Sequence, residues 1–501
     1  MLKQAARLAL TLACLSLVAA PLVHSFDFGE LEKAVSEHTL DNGLKIIVME
    51  NHDAPVVSCV TYANVGGVDD PKELTGLAHM LEHMAFKGTT TIGTTDMDAE
   101  RIAMAVEDSI WDELRVERKK GALADSARLV ELEAAFQQAQ DDAIAFVKGD
   151  AWNGIMEAAG AIGINAGTGK DMTQYIMSLP ANKLELWMAM ESERFINPIF
   201  RQMYQERNVV AEERRQQLEN VPIMRAIDAI QSTAFAAHPY GISIVGHMSD
   251  IQNYSRQSVI DYFEKYYGAS NLIVSVVGDV KPKEVFKLAE KYWGKLPNRP
   301  APEPVATVEP EQKGEKHVYL EDPAQPMFGI AYHVPQWTHD DWPALEAAAD
   351  YLGSGRTSLL HKDLVKDKKI ASAAAVYLGW PASKYPSLCL VYGFPTPEVT
   401  PDSCIDAALE QVEVLKAELL PEEEVQAIKT RAKSNFVNQM NSNLGMAIQL
   451  ASYENDWGDW RRLFNELDRI NGVTAEDIQR VAQKYFTKKN RTVGRLLTAE
   501  G

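Results

Sequence analysis

The sequence predicts an α+β protein made of one unit used twice, and three observations carry that prediction. The first is an internal repeat. Ile470 to Leu496 lies on Ile251 to Val277 without a gap, pairing Thr474 with Ser255, Ile478 with Val259, Lys484 with Lys265, Tyr485 with Tyr266 and Asn490 with Asn271, at an offset of 219 residues. The second is a larger offset of 270 near the start of each copy, where Tyr332 of GIAYHV falls on Tyr62 of CVTYAN. The third is a helix-rich stretch, Asp98 to Val147, whose length of about 50 residues matches the difference between the offsets. One insertion in the first copy accounts for all three.

Size and composition agree with this division. A chain of 501 residues exceeds what one hydrophobic core supports, and 46% apolar with 24% charged residues is ordinary globular usage. A formal charge of −20 argues against nucleic acid or an anionic membrane surface as partner. Residues 1–25 read as a targeting segment. Lys3 and Arg7 precede an uncharged apolar run from Leu8 to Val23, too short for a comfortable membrane span, and cleavage near Ser25 gives a mature start at Phe26. The alternative is an uncleaved anchor. No second apolar span follows, so the mature chain is expected to be exported and to carry no membrane span. It retains Cys59, Cys389 and Cys404, an odd number without a Cys-x-x-Cys pair, which argues against a disulfide framework and a cysteine zinc site. Cys389 and Cys404 could pair, but Cys389 lies in the apolar run Leu388 to Val391 and reads as a core residue.

In chain order, Leu40 to Glu50 reads as a hairpin turning at Asp41-Asn42-Gly43, and Val56 to Asn64 as a second strand. Within Asp98 to Val147, Leu129, Leu132, Phe136, Ala139, Ala143 and Phe146 step by three and four around a turn at Gly121, which predicts a helical hairpin. Gly163 to Pro180 returns to a strand pattern. Helices are expected over 182–195, 201–219 and 251–267, and a buried strand over Asn271 to Asp279. Pro297 to Glu315, with five prolines, divides the units. The expected organisation is a first domain over 26–296 carrying the insertion 98–147, a linker over 297–315, and a second domain over 316–501.

The stretch that promises chemistry is Gly76 to Thr89, GLAHMLEHMAFKGT. His79 and His83 are four apart on a helix and can present two imidazoles to one metal ion. Glu82 borders the same face, placed to take a proton from a water molecule polarised there. The order His-x-x-Glu-His is the inverzincin signature. Leu77, Ala78, Met80, Leu81, Met84, Ala85 and Phe86 make the helix mostly buried, and buried imidazoles and carboxylates are costly unless something satisfies them. The equivalent helix of the second copy, Trp342 to Leu352, is plain and apolar. A catalytic zinc needs a third protein ligand. Glu206 and Glu213, two turns apart in ERNVVAEE, can supply one ligand and one support for a histidine, although this segment alone reads equally as a solvated charged helix.

HMLEHMAFKGT, INAGTGKDMTQY, ERNVVAEERR, AHPYG and YYGASNLIVSVVGD, in this order, resemble the M16 zinc metallopeptidases, the pitrilysin, insulinase and mitochondrial processing peptidase family, in its exported bacterial half-length branch. The resemblance implies two homologous LuxS/MPP-like domains, each a mixed, mostly antiparallel sheet covered by helices. It implies one Zn2+ per chain held by His79, His83 and Glu213, with Glu82 as base and Glu206 as supporting acid. It implies that peptide substrates add as a strand along Asn165, Ala166, Gly167 and Thr168, and a periplasmic location. One departure stands out. The family completes its site with an Arg and a Tyr in a later segment, and the matching stretch, Leu360 to Ser372, has Val365 and Ser372 there. The resemblance therefore implies a homologous, non-catalytic partner subunit that supplies both groups. The competing expectation is a structural subunit with a vestigial metal site.

Overall fold

The computed structural model describes residues 28–499, so the targeting segment expected over residues 1–25 lies outside the described residues. Eleven strands among them form two sheets on one plan. The first holds β1 (Val35–Thr39), β2 (Lys45–Glu50), β3 (Val56–Ala63), β4 (Ile162–Thr168), β5 (Thr173–Pro180) and β6 (Leu272–Gly278), in the spatial order β1-β2-β6-β3-β5-β4. The second holds β7 (Lys316–Asp322), β8 (Met327–Val334), β9 (Ala371–Trp380), β10 (Ser387–Pro395) and β11 (Arg491–Thr498), in the order β7-β11-β8-β10-β9. Each has one parallel pair, β2 with β6 and β7 with β11, in an otherwise antiparallel ladder.

The repeat is visible atom by atom. Asn271 Nδ2 donates to the carbonyls of Tyr266 (2.8 Å) and Asn64 (3.1 Å), and Asn490 Nδ2 donates to those of Tyr485 (2.8 Å) and His333 (2.8 Å). That correspondence corrects one expectation. Ala63 opposes Leu272 and Tyr332 opposes Arg491, so Tyr332 is equivalent to Ala63 and the offset there is 269, not 270. Side chains alternate faces along a strand, so the one-residue slip matters. Tyr62 faces the outer side of its sheet, packed with Val60 and Phe436, whereas Tyr332 faces the inner core of the second unit with Ile330 and Phe486.

The helices of the first unit include α1 (Leu77–Met84), α2 (Met97–Lys119), α3 (Ser126–Ile144), α4 (Leu184–Ile196), α5 (Met203–Arg214), α6 (Pro222–Ala234) and α7 (Arg256–Tyr266). The expected hairpin is α2 and α3. Asp96 and Asp125 accept from N–H groups in their first turns, and Leu132, Phe136, Ala139 and Ala143 form the buried seam. The hairpin is clamped to its unit by buried arginines, Arg201 to Glu100 (2.7 Å) and Arg256 to Asp108 (2.7 Å). The single helix expected over 251–267 is instead two, Met248–Asn253 and α7. Ser255 breaks it by adopting extended backbone and forming a capping box with Ser258, and Thr474 does the same with Asp477 in the second copy.

The second unit contributes α8 (Trp342–Gly353), α9 (Glu422–Gln439), α10 (Asn443–Trp457) and α11 (Ala475–Tyr485). Each unit covers the outer face of the other's sheet. Phe436 of α9 and Met446 and Leu450 of α10 pack on Ile47, Val60 and Ile273 of the first sheet. In return, Ala226 and Ile230 of α6 pack on Met327, Ala331 and Leu496 of the second. Gly329 and Gly494, paired across β8 and β11, make room for Ile230, since a Cβ on Gly494 would stand 2.3 Å from Ile230 Cγ1. Residues 297–315 contain no helix or strand but are fastened down: Glu309 accepts from the N–H groups of Ala236, Ala237 and His238, and Gln312 donates to Arg491 O. Cys59, Cys389 and Cys404 are buried free thiols.

Candidate metal centre

The centre is assembled where α1 meets α5. Asp70 fixes the start of α1, its carboxylate accepting from the N–H groups of Gly76 (2.7 Å) and Ala78 (2.9 Å), and burial pushes this carboxyl up to about 7. Gly76 has φ +88°, and a Cβ there would come within 2.2 Å of Val245 O, so glycine is required both by conformation and by contact. Leu77, Ala78, Met80, Leu81 and Met84 then lock α1 into the first core. The positions left over are His79, Glu82 and His83, on the face toward α5. That helix buries Met203, Tyr204, Val210 and Ala211, which sets Glu206 and Glu213 toward α1. It is not the solvated helix its composition alone allows.

His79 Nε2 lies 3.8 Å and His83 Nε2 3.4 Å from the same oxygen, Glu213 Oε2, and one donor atom from each of the three side chains falls within 4.8 Å of the others. A tetrahedral ion bound at roughly 2.0–2.2 Å separates its ligand atoms by about 3.4 Å. Two imidazole nitrogens and a carboxylate at these spacings are a donor set that zinc could draw together with small side-chain adjustments. His83 Nδ1 faces Glu206 Oε2 at 3.5 Å, and Lys87 Nζ donates to the other oxygen of Glu206 at 2.5 Å. A carboxylate so placed fixes the orientation of the His83 ring, as one behind a metal-binding histidine does. His79 Nδ1 is buried and has no hydrogen-bond partner among the described residues.

The two imidazoles sit in opposed environments. Burial and the neighbouring His83 lower the pKa of His79, against the pull of Glu213 and Glu82. Burial acts the same way on His83, but its hydrogen bond to Glu206 and the charges of Glu213, Glu206 and Glu82 outweigh it and raise the value. Glu206 is held low, its burial outweighed by hydrogen bonds from His83 and Lys87.

Glu82 accepts from Thr168 Oγ1 at 2.5 Å. Thr168 ends β4, the outermost strand of its sheet, which pairs with β5 on one side alone, so Asn165, Ala166, Gly167 and Thr168 present a free strand edge that runs up to Glu82. Sequence reasoning brought together His79, Glu82, His83, Glu206 and Glu213, and missed two groups that hold them, Lys87 and Gln217. Gln217 Nε2 donates to Glu213 Oε1 at 2.7 Å. Gln217 lies four residues beyond Glu213, so the helical step that paired His79 with His83 would have found it, whereas Lys87 stands four beyond His83 but holds Glu206 across the α1–α5 contact, which no local spacing shows. Val365 packs at the edge of the second core and Ser372 Oγ donates to Phe394 O at 3.1 Å, so neither position offers a cation or a phenol.

Comparison with known proteins meets this geometry. The family described as insulinase (peptidase family M16) matches residues 45–107 and 148–247, and that described as the peptidase M16 inactive domain matches residues 253–432. The chain belongs to peptidase family M16. The break in the first M16 match spans most of the α2–α3 hairpin, as an insertion requires. Zinc protease PqqE of Helicobacter pylori is 27% identical over 468 residues, covering 91% of this chain and 90% of that protein. A probable mitochondrial-processing peptidase subunit beta of Arabidopsis thaliana is 23% identical over 467 residues, covering 90% of this chain and 76% of its own length. Among solved structures, a protease from Helicobacter pylori superimposes with a TM-score of 0.77 at 25% identity, covering 92% of this chain and 99% of that one. The periplasmic protease PqqL from Escherichia coli shares the fold, with a TM-score of 0.68 at 17% identity over 93% of this chain and 48% of its own. Among the described residues no helix is long and apolar enough to cross a membrane.

Proposed function

We propose that this M16 chain is a zinc-dependent endopeptidase that hydrolyses short or unfolded peptides, acting after export to the periplasm. The observation that carries the reading is the convergence of His79, His83 and Glu213 on one point with Glu82 beside them. These three would hold the zinc, and His83 keeps its orientation through Glu206. When bound, zinc polarises the scissile carbonyl as a Lewis acid and acidifies water at its open position.

The chain's own residues supply the rest. Thr168 Oγ1 occupies Glu82 Oε2, leaving Oε1 without a hydrogen-bond partner among the described residues and available for a proton. Glu82 takes that proton from the attacking water and delivers it to the leaving amine. The free edge of β4 grips an extended peptide through main-chain hydrogen bonds, which suits broad specificity. Val365 and Ser372 leave the later half of the site without its Arg and Tyr, so a homologous subunit lacking the metal motif is proposed to bring them and to close a chamber over the substrate.

A fluorogenic peptide panel tests this, run on the chain with and without such a partner and with a chelator. Chelator-sensitive cleavage by the assembled pair, abolished by Glu82→Gln, supports the reading. An assembled pair that cleaves nothing, with Glu82→Gln indistinguishable from wild type, makes the chain a structural subunit instead.

A further inference from the structure

The α2–α3 hairpin does more than pack. Where it leans on α5 it leaves an open groove of about 740 Å³, walled by Trp111, Arg118 and Lys119 of α2, Glu133 and Gln137 of α3, and Arg207 of α5. Arg207 is 6% exposed, stacked 3.9 Å over the Trp111 ring, and among the described residues its side chain makes one hydrogen bond, a long 3.4 Å contact to Tyr254 O. Among the described residues no carboxylate lies within ion-pair distance of it, unlike Arg194, Arg201 and Arg256, whose charges are each matched by an acid. The more distant charge of Glu107 acts on Arg207, but burying a guanidinium without an ion-paired anion leaves its desolvation only partly offset. Arg118 adds a second cation 5.8 Å from the same ring, tied at 2.8 Å to Glu133, and Arg115 and Lys119 flank it. Arg115 is paired with Asp112 at 2.9 Å and Arg118 with Glu133, which leaves Arg207 and Lys119 as the groove's cations without an ion-paired acid among the described residues, in a chain whose formal charge is −20.

We propose that this groove binds a small oxyanion, a phosphate or a carboxylate, between Arg207 and the Arg118–Lys119 turn. A guanidinium presents its donors as a planar fork that matches either group, and flanking amides such as Gln137 can complete the shell. Because most of the wall belongs to the insertion, the site is a property of this hairpin and does not depend on the peptidase reading.

The test is calorimetric titration of the full mature chain with inorganic phosphate and, separately, succinate, against sodium chloride at matched ionic strength. Saturable binding of either anion is expected. It should weaken at least tenfold in the Arg118→Ala/Lys119→Ala double variant and tighten in Glu133→Gln, all three residues being at the exposed rim. Which anion saturates tells phosphate from carboxylate. Anion binding at the metal centre would be untouched by these substitutions. Equal affinity in all three proteins, or no saturable heat beyond the chloride control, overturns the proposal.

Discussion

The two copies of the unit answer the same folding problem and differ where chemistry enters. Both order their sheets alike, both anchor the last strand through an asparagine donating to two carbonyls, and both start the preceding helix with a hydroxyl capping box. The helices at the equivalent place part company. α8 buries Trp342, Leu345, Ala348 and Leu352 as plain core, while α1 buries a comparable stripe and spends its remaining face on His79, Glu82 and His83. Even the aspartates near the helix starts differ. Asp341, before α8, takes hydrogen bonds from Arg480, Lys484 and Tyr485, which overcome its burial and hold its carboxyl far below the usual range. Asp69, before α1, is pushed up to about 6 by burial, with the N–H of Gly66 and the charge of Lys384 opposing. The same unit thus accommodates a polar face on the helix at this place in one copy and an apolar one in the other.

Six substitutions sharpen that contrast. Glu82→Gln on α1 should lower kcat by about 10²–10⁴-fold in the peptide assay while zinc content stays unchanged, whereas Glu346→Gln on α8 should leave turnover unaltered. Glu206→Gln should weaken zinc binding by about 10–100-fold in a competition titration with a chelator, since His83 loses the group that orients it. Gly494→Ala should cost about 1–3 kcal/mol in denaturant unfolding, because the new methyl meets Ile230 of the first unit. Asn271→Ala and Asn490→Ala should each cost about 1–3 kcal/mol through two orphaned carbonyls, and a large difference between them would mean the repeated anchor is not equivalent.

The smallest effect is in pH dependence, and its sign should be opposite in the two units. The folded-state pKa of Asp341 is depressed, so its contribution is present above the ordinary aspartate value near about 3.9 and is lost as pH falls below it. Asp341→Asn should flatten the acid side of a urea-midpoint profile. The folded-state pKa of Asp69 is raised, so its contribution is present at low pH and is lost as pH rises from about 4 toward about 6. Asp69→Asn should remove that loss.

Much of this was legible in the sequence, because repeat and motif are both matters of spacing. The His79–His83 step, the Glu206–Glu213 step and the Asn271–Asn490 match survive in the structure as contacts. What escaped was of two kinds. The pairing of Tyr62 with Tyr332 matched residue types but not faces, since an alternating strand gives no internal warning of a one-residue slip. The helix α6 was not anticipated at all. Its apolar residues Ala226 and Ile230 serve the other unit's sheet, and that demand is written in Gly329 and Gly494, about a hundred residues or more further on. The site shows the same limit: Glu213 could be proposed as a ligand, but its approach to the two imidazoles depends on how α5 crosses α1.

The claim on which the rest depends is that His79, His83 and Glu213 bind one metal ion together, and the direct test is zinc content by elemental analysis of the purified chain and its Glu213→Ala variant. The account predicts close to one zinc per wild-type chain and almost none in the variant, with both proteins folded. A wild-type chain that takes up no zinc, or a variant that retains it fully, would contradict it.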